Sequence, residues 1–332
     1  MTSQYETKRL ITFDRIKIKS NYKYLLNTKV KFNEMFHSRS GEKIGIFYSS
    51  KDDINIPYNL YIAVSYVKQT LTLEFSSKIL KENYPDLISR DTIKKCLTNI
   101  NQLNICNIDV DRLLSNGAIT SVDVTYDANL ILSDNLLDAL NSQVNNYRRF
   151  KWTHYNNEGI TFTKDVKSKD CTETITLYNK EKEICTSHNK NFLNSLSQPQ
   201  QIMDYFKGKT RFEITLDTPK KIMNYLNLTD TKIFSVLNSD TNPILVLFDK
   251  IFNNSVTNIS NATFDNYEEW SMKIILDSYN GDLKRLEQDV RNKFSSRSGA
   301  TKRMKKFGAV HHAMTSASTN ENLIEKVRNL LL

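Results

Sequence analysis

The feature of this sequence that most restricts its fold is a change of hydrophobic period near Thr218. Before it, apolar and polar residues alternate in short runs: ITFDRIKI (11–18), KIGIFYS (43–49), LYIAVSY (60–66), TLTLEFSS (70–77), ITSVDVTYD (119–127), GITFTK (159–164), TETITLYN (172–179) and TRFEITLD (210–217). A period of two sends successive side chains to opposite faces, so each run fits a strand with one buried face. Helical patterns interrupt the strands at 89–104 and 134–150. After Thr218, the segments TPKKIMNYLNL, NPILVLFDKIFNN and YEEWSMKIILDSY space their apolar residues at helical intervals. Thr218 reads as an N-cap and Pro219 as the first helical residue. The expected architecture is α+β, with a central antiparallel sheet domain over 1–230 and a mostly helical domain over 231–332. The join falls in the Thr-, Asn-, Ser- and Asp-rich stretch 228–242, and the tracts 253–266 and 315–322 read as polar connectors.

A chain of 332 residues that is 39% hydrophobic, with 16 Tyr and 16 Phe, has enough apolar surface to fold. Its formal charge of +9 favours an anionic partner, because cations that neutralise phosphates release condensed counterions. Cys96, Cys106, Cys171 and Cys185 form no CxxC pair and are too sparse for a disulfide framework. They read as reduced thiols. No run approaches the roughly 20 apolar residues that span a bilayer, and MTSQYETKRL lacks a secretory apolar core, so a cytoplasmic, membrane-free protein is expected.

Three strands each place one carboxylate on the face opposite their apolar residues. In TLTLEFSS it is Glu74, in ITSVDVTYD it is Asp123, and in TRFEITLD it is Glu213. If these strands are neighbours, the acids repel one another unless a cation neutralises them. A hard divalent ion such as Mg2+ or Mn2+ meets that need and polarises a phosphate. Each acid is equally accounted for by solvent or by a basic neighbour such as Arg211.

Tyr178 ends an apolar-alternating strand and is followed by Lys180 and Lys182. A strand that continues, or a helix that starts at Tyr178, puts Tyr178 and Lys182 on one side. A phenol of pKa near 10 needs nearby positive charge to act as a nucleophile, and lysines at this spacing supply it. A packed aromatic at a strand end is the alternative. Farther on, no acid occurs between Val290 and Asn320, whereas Arg291, Lys293, Arg297, Lys302, Arg303, Lys305 and Lys306 are all cationic. This segment reads as a phosphate-backbone contact, or else as a solvated basic stretch.

In order, LTLEFSSKIL, ITSVDVTYDA, ITLYNKEKEI and GKTRFEITLDTPKKIMNYLNL resemble the motifs of the filamentous-phage gene II replication initiators and their phage and plasmid relatives. The resemblance spans about residues 60–230, and KKFGAVHHAM with NENLIEKV extends it loosely. It implies a rolling-circle initiator that nicks one strand of origin DNA, is linked to the 5′ phosphate through tyrosine and later rejoins the strand. It implies Tyr178 as nucleophile with Lys180 and Lys182 beside it. Glu74, Asp123 and Glu213 match the motif acids, and Arg211, Arg297, Lys302, Arg303, Lys305 and Lys306 are assigned to DNA. Partners are then duplex and single-stranded origin DNA with the host helicase and polymerase. The five histidines form no His-hydrophobe-His strand motif, so carboxylates must hold any metal, which suits Mg2+ or Mn2+ better than Zn2+. Two other readings fit the same residues: a non-catalytic origin-binding protein and a conjugative relaxase. No GxxxxGK[ST] loop implies ATP.

Overall fold

The structure is a computed structural model that describes residues 11–53, 55–142, 150–155, 158–164, 166, 172–252, 266–279, 283–293 and 296–332. The chain forms two compact units, Met1–Leu132 with Arg149–Phe248, and Ser133–Arg148 with Asp249–Leu332.

The first unit is built on an antiparallel sheet. Its strands are β1 (Phe13–Asn21), β3 (Asn33–Phe36), β4 (Lys43–Ser49), β5 (Leu60–Ser65), β6 (Thr70–Ser76), β8 (Ala118–Asn129), β9 (Phe150–Tyr155), β10 (Gly159–Lys164), β11 (Thr174–Asn179) and β12 (Lys209–Leu216). Their spatial order is β3-β4-β5-β6-β1-β8-β12-β11-β10-β9. A separate pair joins β2 (Leu25–Thr28) to β7 (Cys106–Ile108). The α+β expectation therefore holds, and every strand read from alternation is present. The short strands β2, β3 and β7 were not expected, and the helix expected over 134–150 gives way to β9 at Phe150; residues 143–149 lie outside the described ones.

Alternation builds one apolar face across the sheet. Leu73 and Phe75, Ile16 and Ile18, Val122 and Val124, Phe212 and Ile214, Ile175 and Leu177, and Ile160 and Phe162 are all buried. Pairing in register puts the polar residues together on the other face, with Glu74 opposite Lys17, Arg15 opposite Asp123, Asp123 opposite Thr215, and Arg211 opposite Tyr178. This second face carries the charges of the sheet, and at Arg211 it too is buried.

Helices of this unit are α1 (Ile93–Gln102), α2 (Val110–Asn116), α4 (Lys180–Ile184), α5 (Ser187–Asn194), α6 (Pro199–Phe206), α7 (Pro219–Leu226) and α8 (Ile233–Leu237). As expected, Thr218 caps α7, its side chain accepting from the Lys221 amide, with Pro219 at the helix start. Gln198 precedes Pro199 at the start of α6, where a missing N–H costs nothing. The next helix, α9 (Pro243–Phe252), starts in the first unit and ends in the second.

The second unit is helical, with α3 (Asp134–Ser142), α10 (Tyr267–Ser278), α11 (Leu283–Lys293) and α12 (Arg297–Leu331). Met272 and Leu276 on α10, Leu286 and Val290 on α11, and Ala300, Phe307 and Val310 on α12 form its core. The tract 315–322, expected as a connector, is helical and lies within α12. Residues 253–265 of the other expected connector are outside the described ones, and Asn266 at its end caps α10. Among the described residues no helix is long and apolar enough to cross a membrane.

Candidate active site

The site begins with an irregularity in β1. Phe13 pairs with Val124 and Arg15 with Asp123, so Asp14 is an extra residue, a β-bulge. The bulge restores Phe13, Ile16 and Ile18 to the same buried face and brings Asp14 and Arg15 both toward the charged face.

β1 lies between β6 and β8, and there it separates two of the three acids read from the sequence. Arg15 Nε donates to Asp123 Oδ2 at 2.6 Å, Nη2 to Asp123 Oδ1 at 2.9 Å, and Nη1 to Glu74 Oε1 at 3.1 Å. Lys17 Nζ is 3.0 Å from Glu74 Oε2, and Thr215 Oγ1 donates to Asp123 Oδ1 at 2.8 Å. All four oxygens of Glu74 and Asp123 are thus engaged by donors from the chain. The three acids do share a face, but Glu74, Asp123 and Glu213 do not fit one Mg2+ or Mn2+ as ligands. Among the described residues, no three His, Cys, Asp or Glu side chains are grouped to hold a metal ion.

Glu213 lies apart from that pairing. Tyr178 donates its hydroxyl to Glu213 Oε2 at 3.3 Å, across the β11–β12 pair. Burial, then the negative charges of Asp14 and Asp123, push the Glu213 carboxyl up to about 7 against the pull of Arg211 and Lys180. Burial also drives the Tyr178 phenol well above the ordinary tyrosine range, with Arg211 opposing that rise and Glu213 reinforcing it. The resting pair is a neutral phenol beside a carboxyl that gains or loses its proton near neutrality.

Two buried cations surround this pair. Lys180, the first residue of α4, is 1% exposed; it bonds Glu183, and its Nζ lies 5.6 Å from the centre of the Tyr178 ring. Burial, then the neighbouring Arg211, lower the Lys180 ammonium from its usual range, while Glu183 and Asp14 retain it. Arg211 is fully buried, so its expected contact with DNA is not made. Its Nε and Nη2 donate to Asp127 at 2.7 and 2.8 Å, and its Nη1 donates to the Tyr84 hydroxyl at 3.0 Å and lies 3.3 Å from Asp14. The cost of desolvating a guanidinium is met here by two carboxylates, which fixes Arg211 as an internal charge. Asp14 in turn accepts from the Ser77 hydroxyl. Burial disfavours its charge, but Arg211, Lys180, Ser77 and Lys78 outweigh that and hold its carboxyl at about 2.

Aromatic rings wall this charge cluster. Tyr84 packs edge-on to Phe192 and tilted against Phe206, each at 5.5 Å between centroids. Lys182 is exposed and meets Glu158 at 3.4 Å rather than joining Lys180. The chain leaves the strand at Asn179, whose side chain caps α4 by accepting from the Lys182 amide, so the turn separates the two lysines.

Asp14, Tyr84, Asp127 and Glu183 belong to the site and were not read from the sequence. Two signals for them exist. Asp127 continues the polar parity of Ser121, Asp123 and Thr125, and Glu183 stands three residues after Lys180 in a short helix, where such pairs meet. The basic residues Arg297, Lys302, Arg303, Lys305 and Lys306 lie on the first turns of α12, in the second unit.

No curated protein matches the chain. A family match is found over residues 86–235, to the N-terminal region of the phage replication-associated protein encoded by gene II. The matched range includes Asp123, Asp127, Tyr178, Lys180, Arg211 and Glu213 and excludes Asp14, Arg15 and Glu74. Across that range, which carries three of the four motifs, the chain is similar to the filamentous-phage gene II-like replication proteins.

Proposed function

We propose that the protein is a rolling-circle replication initiator that nicks and rejoins one strand of origin DNA through Tyr178. The observation that carries this reading is the hydrogen bond from the Tyr178 hydroxyl to Glu213, a carboxyl raised to about 7. A phenol needs its proton removed as it attacks, and a base that titrates near neutral pH is suited to removing it.

In this reaction the Tyr178 Oη attacks the scissile phosphorus while Glu213 takes the phenolic proton. The bond from phosphorus to O3′ breaks, and Glu213 returns the proton to the departing 3′ oxygen. The products are a 5′-phosphotyrosine and a 3′ hydroxyl. Reversal of these steps rejoins the strand. Lys180 and Arg211 stabilise the developing phenolate from beneath, as preorganised charges do at low local dielectric. Lys182, exposed on the same short helix, is the proposed contact to phosphate. No step is assigned to a divalent cation, since Arg15 and Lys17 already neutralise two of the acids proposed to hold Mg2+ or Mn2+. Tyr126 is a weaker candidate nucleophile, because it pairs with Phe212 on the apolar side of β8.

The test is Tyr178→Phe with a supercoiled plasmid carrying the element's own origin. Nicking is expected to vanish while origin binding persists. Undiminished nicking moves the nucleophile elsewhere, and absence of nicking in the native protein favours an origin-binding role without chemistry.

A further inference from the structure

The helix α10 presents two faces. Met272 and Leu276 point into the core of the second unit. Tyr267, Trp270 and Ile274, spaced i, i+3 and i+7, lie together on the opposite side and are 79%, 49% and 48% exposed. Large aromatic side chains left in water on the face away from a core contribute nothing to that core and mark a binding surface. The Tyr267 and Trp270 rings are 5.7 Å apart between centroids and inclined by 40°.

Positive charge gathers at the same end of α10. Glu268, the residue after Tyr267, accepts from Arg303 Nη1 at 2.8 Å and from Lys306 Nζ at 2.8 Å, which brings the basic turns of α12 to the start of α10. Glu268 is thereby neutralised, with one cation in excess. Arg297, Lys302 and Lys305 on the same turns are exposed and make no ion pair among the described residues.

We infer that Tyr267 and Trp270 form a stacking platform for the bases of single-stranded DNA, with Arg297, Lys302, Lys305 and Lys306 following its phosphates. Exposed rings stack on unpaired bases of any sequence, and a cationic border draws the backbone; together they are the elements of a single-strand site. Duplex DNA buries its base faces and offers the rings nothing. A protein partner matched to the apolar stripe alone leaves the unpaired cations unexplained. The inference goes beyond the proposed nicking reaction, which needs no platform in the second unit, and it gives that unit a role in holding the unpaired strand that nicking and replication release.

The chain has two tryptophans, Trp152 and Trp270, so Trp152→Phe makes Trp270 the sole reporter. In that full-length background, oligothymidylate is expected to quench Trp270 emission while a blunt duplex of equal length does not. Tyr267→Ala, and Trp270→Ala measured by fluorescence anisotropy of labelled oligothymidylate, are each expected to weaken binding about tenfold, with Trp270→Phe retaining most of it. Lys302→Ala with Lys305→Ala is expected to flatten the salt dependence of binding. Both rings face away from the core, so circular dichroism and melting of these variants should match the parent. Unchanged affinity in the alanine variants overturns the inference, and so does quenching by protein concentration alone with dimers in sedimentation, which makes the stripe a self-association face. Oligothymidylate contains no origin, so the result does not depend on whether Tyr178 nicks.

Discussion

Replacing Glu213 with Gln removes the one carboxyl at the site that is raised toward neutrality while keeping an oxygen able to accept from Tyr178. A rise from 4.5 to about 7 means that the folded chain holds this proton more tightly than the unfolded chain does. Its contribution to stability is full below the unfolded value and is lost as pH rises through about 7. At about 1.36 kcal/mol per pKa unit, ionising Glu213 in place costs roughly 3 kcal/mol. Glu213→Gln is therefore expected to melt like the native protein near pH 4.5 and to be about 3 kcal/mol more stable at pH 8, several degrees in Tm. The same variant should lose nicking by about 10²-fold or more and lose the rise of single-turnover rate through pH 7, because no base accepts the Tyr178 proton. Melting curves between pH 4.5 and 8, paired with nicking rates over the same range, make the comparison. A stability difference independent of pH refutes the strained carboxyl, and native nicking in the variant refutes its role as base.

Four further outcomes follow from the same geometry. Asp14 acts in the opposite sense to Glu213: its carboxyl, lowered from 3.8 to about 2, contributes about 2 kcal/mol that is present above pH 4 and lost as pH falls through 2, so Asp14→Asn should be about 2 kcal/mol less stable than the native protein at neutral pH and approach it in melting as pH falls to 2. Asp127→Asn breaks the two-pronged pairing of a fully buried Arg211 and is expected to cost about 3–5 kcal/mol in denaturation. Asp123→Asn leaves Arg15 with a weaker partner and should lower stability by about 1–3 kcal/mol without changing the Mg2+ concentration needed for nicking; a shifted Mg2+ requirement would return Asp123 to metal binding. Gly159 faces Tyr178 in the β10–β11 pair, where an added Cβ would lie 2.8 Å from the Leu177 carbonyl oxygen and 2.9 Å from Tyr178 Cβ, so Gly159→Ala should cost about 1–3 kcal/mol and slow nicking more than origin binding.

Alternation made most of the sheet legible, because each strand buries one side and the period of two survives in the sequence. It also placed Glu74, Asp123 and Glu213 each opposite its own strand's apolar residues, on the side that the strand pairing makes common. What it could not convey was the strand between them. In ITFDRIKI, strict alternation puts Phe13 with Arg15 and Lys17; the bulge at Asp14 reverses that parity, so the cations that neutralise Glu74 and Asp123 were not assigned to their side of the sheet. For a similar reason neither Arg211, assigned to DNA, nor Lys180, assigned to the side of Tyr178, was expected to be buried. Burying a guanidinium or an ammonium requires partners, and Asp14, Asp127 and Glu183 are far from Arg211 along the chain or, for Lys180, on a turn whose direction the sequence left open. The exposed aromatic stripe of α10 was equally hidden, since apolar residues at helical spacing read as core until the buried side is known.

The central claim is that the hydroxyl of one residue becomes bonded to DNA. Native protein incubated with its supercoiled origin plasmid, then digested by nuclease and protease, yields peptides whose nucleotide adduct is located by mass spectrometry. The account predicts a nucleotide 5′-phosphate on Tyr178. An adduct on another tyrosine, or nicked plasmid without any protein adduct, contradicts it.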